Sequence, residues 1–78
     1  MTNPEDAHSQ ASQDALSAAT ELERAAAHLR TAAGHMTAGE VPRYAAHLLA
    51  ARGHLLLAGQ TLDDLATTHA RRSQPDRP

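Results

Sequence analysis

Apolar residues recur along most of the chain at steps of three and four positions, which places them on one face of an α-helix. One stripe runs through the first half of the chain and comprises Ala19, Leu22, Ala26, Leu29, Ala33 and Met36. A second stripe follows it and comprises Tyr44, Leu48, Ala51, Leu55, Ala58, Leu62 and Leu65. The pattern predicts two amphipathic helices that pack together through these stripes.

Turn signals between the stripes predict an antiparallel hairpin. Gly39 suits the left-handed position after a helix, and Pro42 suits the first turn of the next one. We expect a helix over residues 13–38, a turn at 39–41 and a helix over residues 42–71. The mostly polar residues 1–12 are expected to fray, although Asn3 and Pro4 could start the helix earlier. Residues 72–78 contain two prolines and no apolar residue, and we expect them to form a disordered tail.

The composition supports an all-α fold. Among 78 residues there are 18 alanines and 10 leucines but no Ile, Phe or Trp, so the residue types that favour strands are nearly missing. Cysteine is also missing from the sequence, which excludes disulfides, thiolate metal sites and thiol catalysis. A chain of this length is near the lower limit for a self-sufficient hydrophobic core, so we expect a partner chain or a metal to support it.

The second helix carries more leucine than one partner helix can cover. It has seven of the ten leucines, and the run at positions 55–57 points in three directions about 100° apart. We therefore expect two hairpins to form a homodimeric four-helix bundle with the second helix at its centre. A monomeric hairpin and a complex with a different helical protein are the alternatives. The expected interface residues are Leu48, Leu49, Leu55, Leu56, Leu57, Leu62 and Leu65.

The two halves of the chain resemble each other at an offset of 19 residues. Residues 21–36 and 40–55 are identical at nine of sixteen positions, and these include one Glu, one Arg, one Gly and two His. We interpret the match as an internal duplication. Gly34 and Gly53 interrupt the helices at corresponding places, where we expect close packing between helices.

Each copy of the repeat carries a stripe of one Glu and two His at steps of seven residues. In an antiparallel hairpin, His28 would lie level with His54, and His35 with His47. If the leucine stripes form the seam, these histidines splay outward and are solvated; they converge only if the seam is the small-residue stripe Ala18, Ala25 and Ala32. Other roles remain open, namely binding of zinc, nickel or copper completed by water or a second hairpin, ligation of haem, and proton sensing. The candidate metal ligands are His28, His35, His47 and His54.

The net charge and the lack of recognisable motifs limit the functions that the sequence supports. The formal net charge is −2, which gives no basic field for nucleic acid or anionic lipid, and no catalytic, signal-peptide or membrane-spanning pattern is present. We expect a cytoplasmic, non-enzymatic interaction or oligomerisation protein without a cofactor, such as an adaptor, regulator or accessory subunit. A metal-binding protein is the alternative, and a dimeric nucleic-acid-binding regulator comes third.

Overall fold

The computed structural model describes residues 4–73 and confirms the all-α hairpin. Two helices, α1 (Pro4–Thr37) and α2 (Val41–Arg72), run antiparallel and pack against each other along their length. The predictions for residues 1–3 and for most of the expected tail, residues 74–78, lie outside the described residues.

Helix α1 begins earlier than the predicted residue 13. Pro4 occupies its first position, and Glu5 and Asp6 lie in its first turn. A proline at this position needs no backbone donor, and acidic side chains interact favourably with the positive end of the helix dipole. These local signals start the helix although the residues that follow have little apolar surface to bury. The other helix ends agree with the prediction to within one residue.

The turn closes α1 with a Schellman motif. Gly39 has φ 75°, a left-handed conformation that glycine adopts without steric penalty. Its N–H donates to the carbonyl of Met36 at 3.0 Å, and the N–H of Glu40 donates to the carbonyl of His35 at 2.8 Å. Helix α2 starts immediately afterwards, where the N–H of Tyr44 donates to the carbonyl of Glu40 at 3.0 Å. The tight turn fixes the register of the two helices.

The seam between the helices is lined by alanine. This corrects the stripe predicted for α1, whereas in α2 the buried Ala51 and Ala58 belong to the predicted stripe. Among the described residues, the fully buried ones are Ala18, Ala25, Ala32, Ala51 and Ala58. Leu22, Leu29 and Met36, which were expected in the seam, are 43%, 45% and 49% exposed. In α1, the seam is thus rotated by about 70° on the helical wheel from the predicted stripe, towards the Glu and His positions. Such a seam is tolerable because its polar side chains find partners in one another.

Seven of the large apolar side chains lie on one side of the hairpin. Residues four positions after the seam positions of α1 lie beside the seam, and the corresponding residues of α2 lie on the same side because the helices are antiparallel. Together they form a surface that we call the leucine face. Its seven members are between 36% and 54% exposed: Leu22, Leu29, Met36, Val41, Leu48, Leu55 and Leu62.

Gly34 and Gly53 do not mark a close approach of the two helices, contrary to expectation. Both residues are exposed. A Cβ atom built on either of them would meet nothing within 4 Å. In this hairpin the close approach is made at the seam alanines, and the two glycines lie on outward positions of their helices.

Candidate functional site

Six polar side chains line the seam beside the alanines and form the most distinctive chemical feature of the hairpin. Steps of seven residues put three of them on one stripe of α1. They also put two of them on one stripe of α2, in line with Glu40, the residue that precedes α2. The antiparallel turn then brings the two stripes together. We call this set the histidine ladder, and its order along the hairpin is Glu21, His54, His28, His47, His35 and Glu40.

The centre of the ladder is a direct contact between two imidazoles. The Nδ1 atoms of His28 and His47 lie 2.9 Å apart, and the ring centroids lie 5.2 Å apart. On either side, His28 stacks on His54 with centroids at 5.4 Å, and His47 stacks on His35 at 5.2 Å. All four rings therefore form one continuous row of contacts.

Each end of the row is closed by a glutamate. His54 Nδ1 lies 3.4 Å from Glu21 Oε2, and His35 Nδ1 lies 3.0 Å from Glu40 Oε1. Arg24 donates to Glu21 at 2.9 Å, and Arg43 donates to Glu40 at 3.1 Å. The carboxylates thus have partners both inside and outside the seam.

The pKa of the Glu21 carboxyl reflects these partners. Burial works to raise its pKa, because the Glu21 side chain is only 13% exposed. The hydrogen bonds and positive charges of Arg24 and His54 outweigh this effect, so the pKa lies below its ordinary value of 4.5. Glu21 is therefore held as a carboxylate inside the seam at neutral pH.

The contacts at the two ends of the ladder correspond under the 19-residue offset of the sequence. The offset relates Glu21, Arg24 and His35 to Glu40, Arg43 and His54. It also exchanges the Glu21–His54 pair with the Glu40–His35 pair, and relates His28 to His47. The helix pair therefore has an approximate local two-fold axis that passes between His28 and His47.

The outward-splayed, solvated arrangement expected for the histidines is wrong. All four are partly buried. The seam is the stripe Ala18, Ala25 and Ala32, and this was the condition under which the histidines were expected to converge. The two predicted pairs, His28 with His54 and His35 with His47, are the two stacked pairs. Sequence reasoning missed the hydrogen-bonded centre, although the signal was available: residue numbers 21 and 54, 28 and 47, and 35 and 40 share one sum.

Metal binding by the predicted ligands His28, His35, His47 and His54 stays a prediction. The ladder brings the imidazoles together in pairs, whereas zinc takes three or four ligands. Within residues 4–73, no group of three His, Asp or Glu side chains has a geometry that could hold a metal ion.

The chemistry of the central contact depends on its protons. In an Nδ1 to Nδ1 hydrogen bond, one nitrogen carries the proton and the other accepts it. The contact can therefore exist with both rings neutral or with one ring charged. With both rings charged, each Nδ1 carries a proton and no acceptor remains. Two unit charges 4 Å apart also repel by about 1 kcal/mol in bulk water and about 4 kcal/mol at an effective dielectric constant of 20.

The predicted interface leucines of α2 lie in three different places. Leu48, Leu55 and Leu62 belong to the leucine face, and Leu65 lies half-buried at the seam. Leu49, Leu56 and Leu57 are 75%, 51% and 49% exposed on the other sides of α2. What the sequence did not show is that α1 contributes three of the seven members of the leucine face.

No protein-family model, curated protein or solved structure matches the chain. Neither helix, over the residues that the structure describes, has a stretch long and apolar enough to cross a membrane.

Proposed function

We propose that the hairpin is a non-enzymatic interaction module that pairs with a second copy of itself through the leucine face. The product is a homodimeric four-helix bundle, which would serve as an adaptor, regulator or accessory subunit. The observation that carries the proposal is that small side chains are buried in the seam while larger apolar side chains remain exposed beside it. The seam buries five alanines, while the large side chains of the leucine face stay between 36% and 54% exposed.

The energetics favour burial of this face. Complete burial of a leucine-sized side chain contributes about 1.5–3 kcal/mol. Burying the exposed half of each member of the leucine face would therefore contribute about 1 kcal/mol more. The alanine seam contributes less than a leucine seam of the same length, because alanine has little apolar surface. A chain with such a small core needs additional burial to be stable. Association supplies it.

The symmetry of the leucine face supports a second copy as the partner. The local two-fold axis relates Leu22 to Val41, Leu29 to Leu48 and Met36 to Leu55, so the two halves of the face have nearly the same shape and chemistry. A homodimer contact must be self-complementary, and a face that resembles itself under rotation offers several equivalent ways to pair. Two hairpins laid face to face form a four-helix bundle.

This proposal moves the expected interface from α2 alone to both helices. Leu48, Leu55 and Leu62 remain in it. Leu49, Leu56 and Leu57 do not, because they lie away from the face formed with α1. The relevant surface therefore exists only while the hairpin is closed.

Sedimentation equilibrium of matched double variants tests the proposal. Leu29→Gln/Leu48→Gln removes the two leucines nearest the local axis, one from each helix. We expect its dimer dissociation constant to rise by about a hundredfold or more, since four side chains change per dimer and each tenfold step corresponds to about 1.4 kcal/mol.

The control is Leu16→Gln/Leu49→Gln, which also removes one leucine from each helix but at outward positions that are 66% and 75% exposed. Its dissociation constant should equal that of the wild type. Equal dissociation of both double variants, or a wild-type chain that is already monomeric, would overturn the proposal. Circular dichroism on each sample verifies that the helices are intact.

A further inference from the structure

We propose that the His28–His47 contact is an acid-sensitive latch that holds α1 and α2 together at neutral pH and opens when both imidazoles are protonated. The inference rests on the geometry of the ladder. It does not depend on self-association.

The surroundings of the central pair determine which histidines can take up protons without cost. On α1, the charged or titratable groups that face the seam are Glu21 and His35, with Arg24 bound to Glu21. On α2 and the residue before it they are His54, Tyr44 and Glu40, with Arg43 bound to Glu40. Both carboxylates contact the outer imidazoles, His54 and His35. None of the contacts of His28 or His47 in the ladder is with a carboxylate; both stack on other imidazoles.

The effect of a proton should therefore depend on which histidine of the ladder receives it. The outer histidines gain a proton next to a carboxylate, which turns each end contact into an ion pair. The central pair can hold one proton as a charge-assisted hydrogen bond. A second proton leaves both Nδ1 atoms as donors at 2.9 Å, with a charged imidazolium stacked on each side. The helices then separate at the centre of the seam.

The proton balance predicts a definite pH dependence. The closed central pair has room for at most one proton between its two Nδ1 atoms, because these atoms lie 2.9 Å apart. Two separated imidazoles can each take up a proton once the pH is below the ordinary imidazole pKa of about 6.5. Wherever the open state binds more protons than the closed state, the closed state becomes less stable as the pH is lowered. For one proton, the equilibrium constant for closing should fall about tenfold per pH unit between about pH 6 and pH 5.

Acid would also remove the surface proposed for dimerisation, because the leucine face needs residues from both helices. This consequence rests on the proposed function. Sedimentation at the same pH values measures it separately, so a hairpin that opens without ever dimerising and a dimer that dissociates on opening give different results.

The test follows unfolding by circular dichroism between about pH 8 and pH 5 in three proteins. The wild type should show the tenfold loss per pH unit. His28→Leu/His47→Leu replaces the latch with apolar side chains and should show no loss between pH 6 and pH 5. The control His8→Gln/His69→Gln removes the same number of imidazoles from exposed positions outside the ladder and should behave like the wild type. Equal pH dependence in the latch variant and the wild type would overturn the proposal.

Imidazole ¹⁵N spectra of the wild-type protein give an independent test that needs no folded variant. While the helices are intact, His28 and His47 together should bind one proton. The second proton should appear only when the two helices have separated. A closed hairpin in which both imidazoles are fully protonated would overturn the latch.

Discussion

His28 and His47, one from each helix, meet Nδ1 to Nδ1 at 2.9 Å in the centre of the seam. Each imidazole has the other as its hydrogen-bond partner, and two further imidazoles cover the pair on either side. A metal ion would have to replace this hydrogen bond and find additional ligands elsewhere. The contact thus favours an account in which the ladder binds protons over one in which it binds metal.

Metal titration separates these two accounts. We expect zinc, nickel or copper in excess to leave the melting temperature unchanged, because a ligand stabilises a fold only by binding its folded state more tightly than the unfolded one. A rise in melting temperature that disappears when His28, His35, His47 and His54 are all changed to Gln would contradict this expectation. It would instead support the metal-binding alternative.

Because the seam is lined by alanine, a larger side chain should destabilise the fold at a seam position and have little effect at an exposed position two residues away. Ala25 is 2% exposed, so Ala25→Leu should overpack the seam and lower the free energy of unfolding by about 1–3 kcal/mol. Ala27 is exposed, so Ala27→Leu should change it little. Thermal or urea unfolding measures both. Stabilisation by Ala25→Leu would show that the helices do not pack through this stripe.

Replacing glycine with alanine should stabilise the fold at the helical positions 34 and 53 and destabilise it in the turn at position 39. Gly34 and Gly53 are helical with open space around the missing Cβ, so changing either to Ala should stabilise the protein by about 0.5–1 kcal/mol. Gly39→Ala should destabilise it by about 1–2 kcal/mol, because φ is +75° there. Melting temperatures of the three variants check this prediction. Destabilisation by Gly34→Ala and Gly53→Ala would indicate that another chain packs closely against these glycines.

The lowered pKa of Glu21 predicts a stability contribution that depends on pH. A carboxyl whose pKa is depressed in the folded state stabilises the fold above its unfolded value of 4.5, and this stabilisation is lost as the pH falls through the folded value. Glu21→Gln should therefore lower the melting temperature at about pH 7 and have a smaller effect below about pH 4.

The Glu21 comparison is best made in the His28→Leu/His47→Leu background, so that the central imidazoles do not titrate in the same range. Glu23→Gln removes an equal charge from an exposed position two residues away and serves as the control. An effect of Glu21→Gln that is the same at both pH values, or equal to that of Glu23→Gln, would show that the contacts of Glu21 in the seam do not stabilise the fold.

Much of the fold could be predicted from the sequence, because its signals are local. The steps of three and four residues predicted helices, and Gly39 followed by Pro42 predicted the turn, which the structure places within one residue. The seam could not be predicted in the same way. Hydrophobic periodicity identifies the most apolar stripe of a helix. It does not show whether that stripe packs against the other helix of the same chain or against a different chain.

The candidate site was predicted in part for the same reason. The seven-residue steps and the level of each histidine follow from helix geometry, so the stacked pairs were found. Their orientation depended on which stripe forms the seam, and this depends on tertiary packing. Leu22 and Leu29, which were expected to be buried within the hairpin, are half-exposed instead, and this is the main reason for proposing a second copy.

The most direct test of the account is the mass of the unmodified chain in solution at neutral pH, measured by light scattering over a wide range of concentration. The account predicts twice the chain mass of 8.3 kDa at high concentration, with dissociation on dilution. A folded, helical protein that keeps the mass of a single chain at every concentration would contradict it.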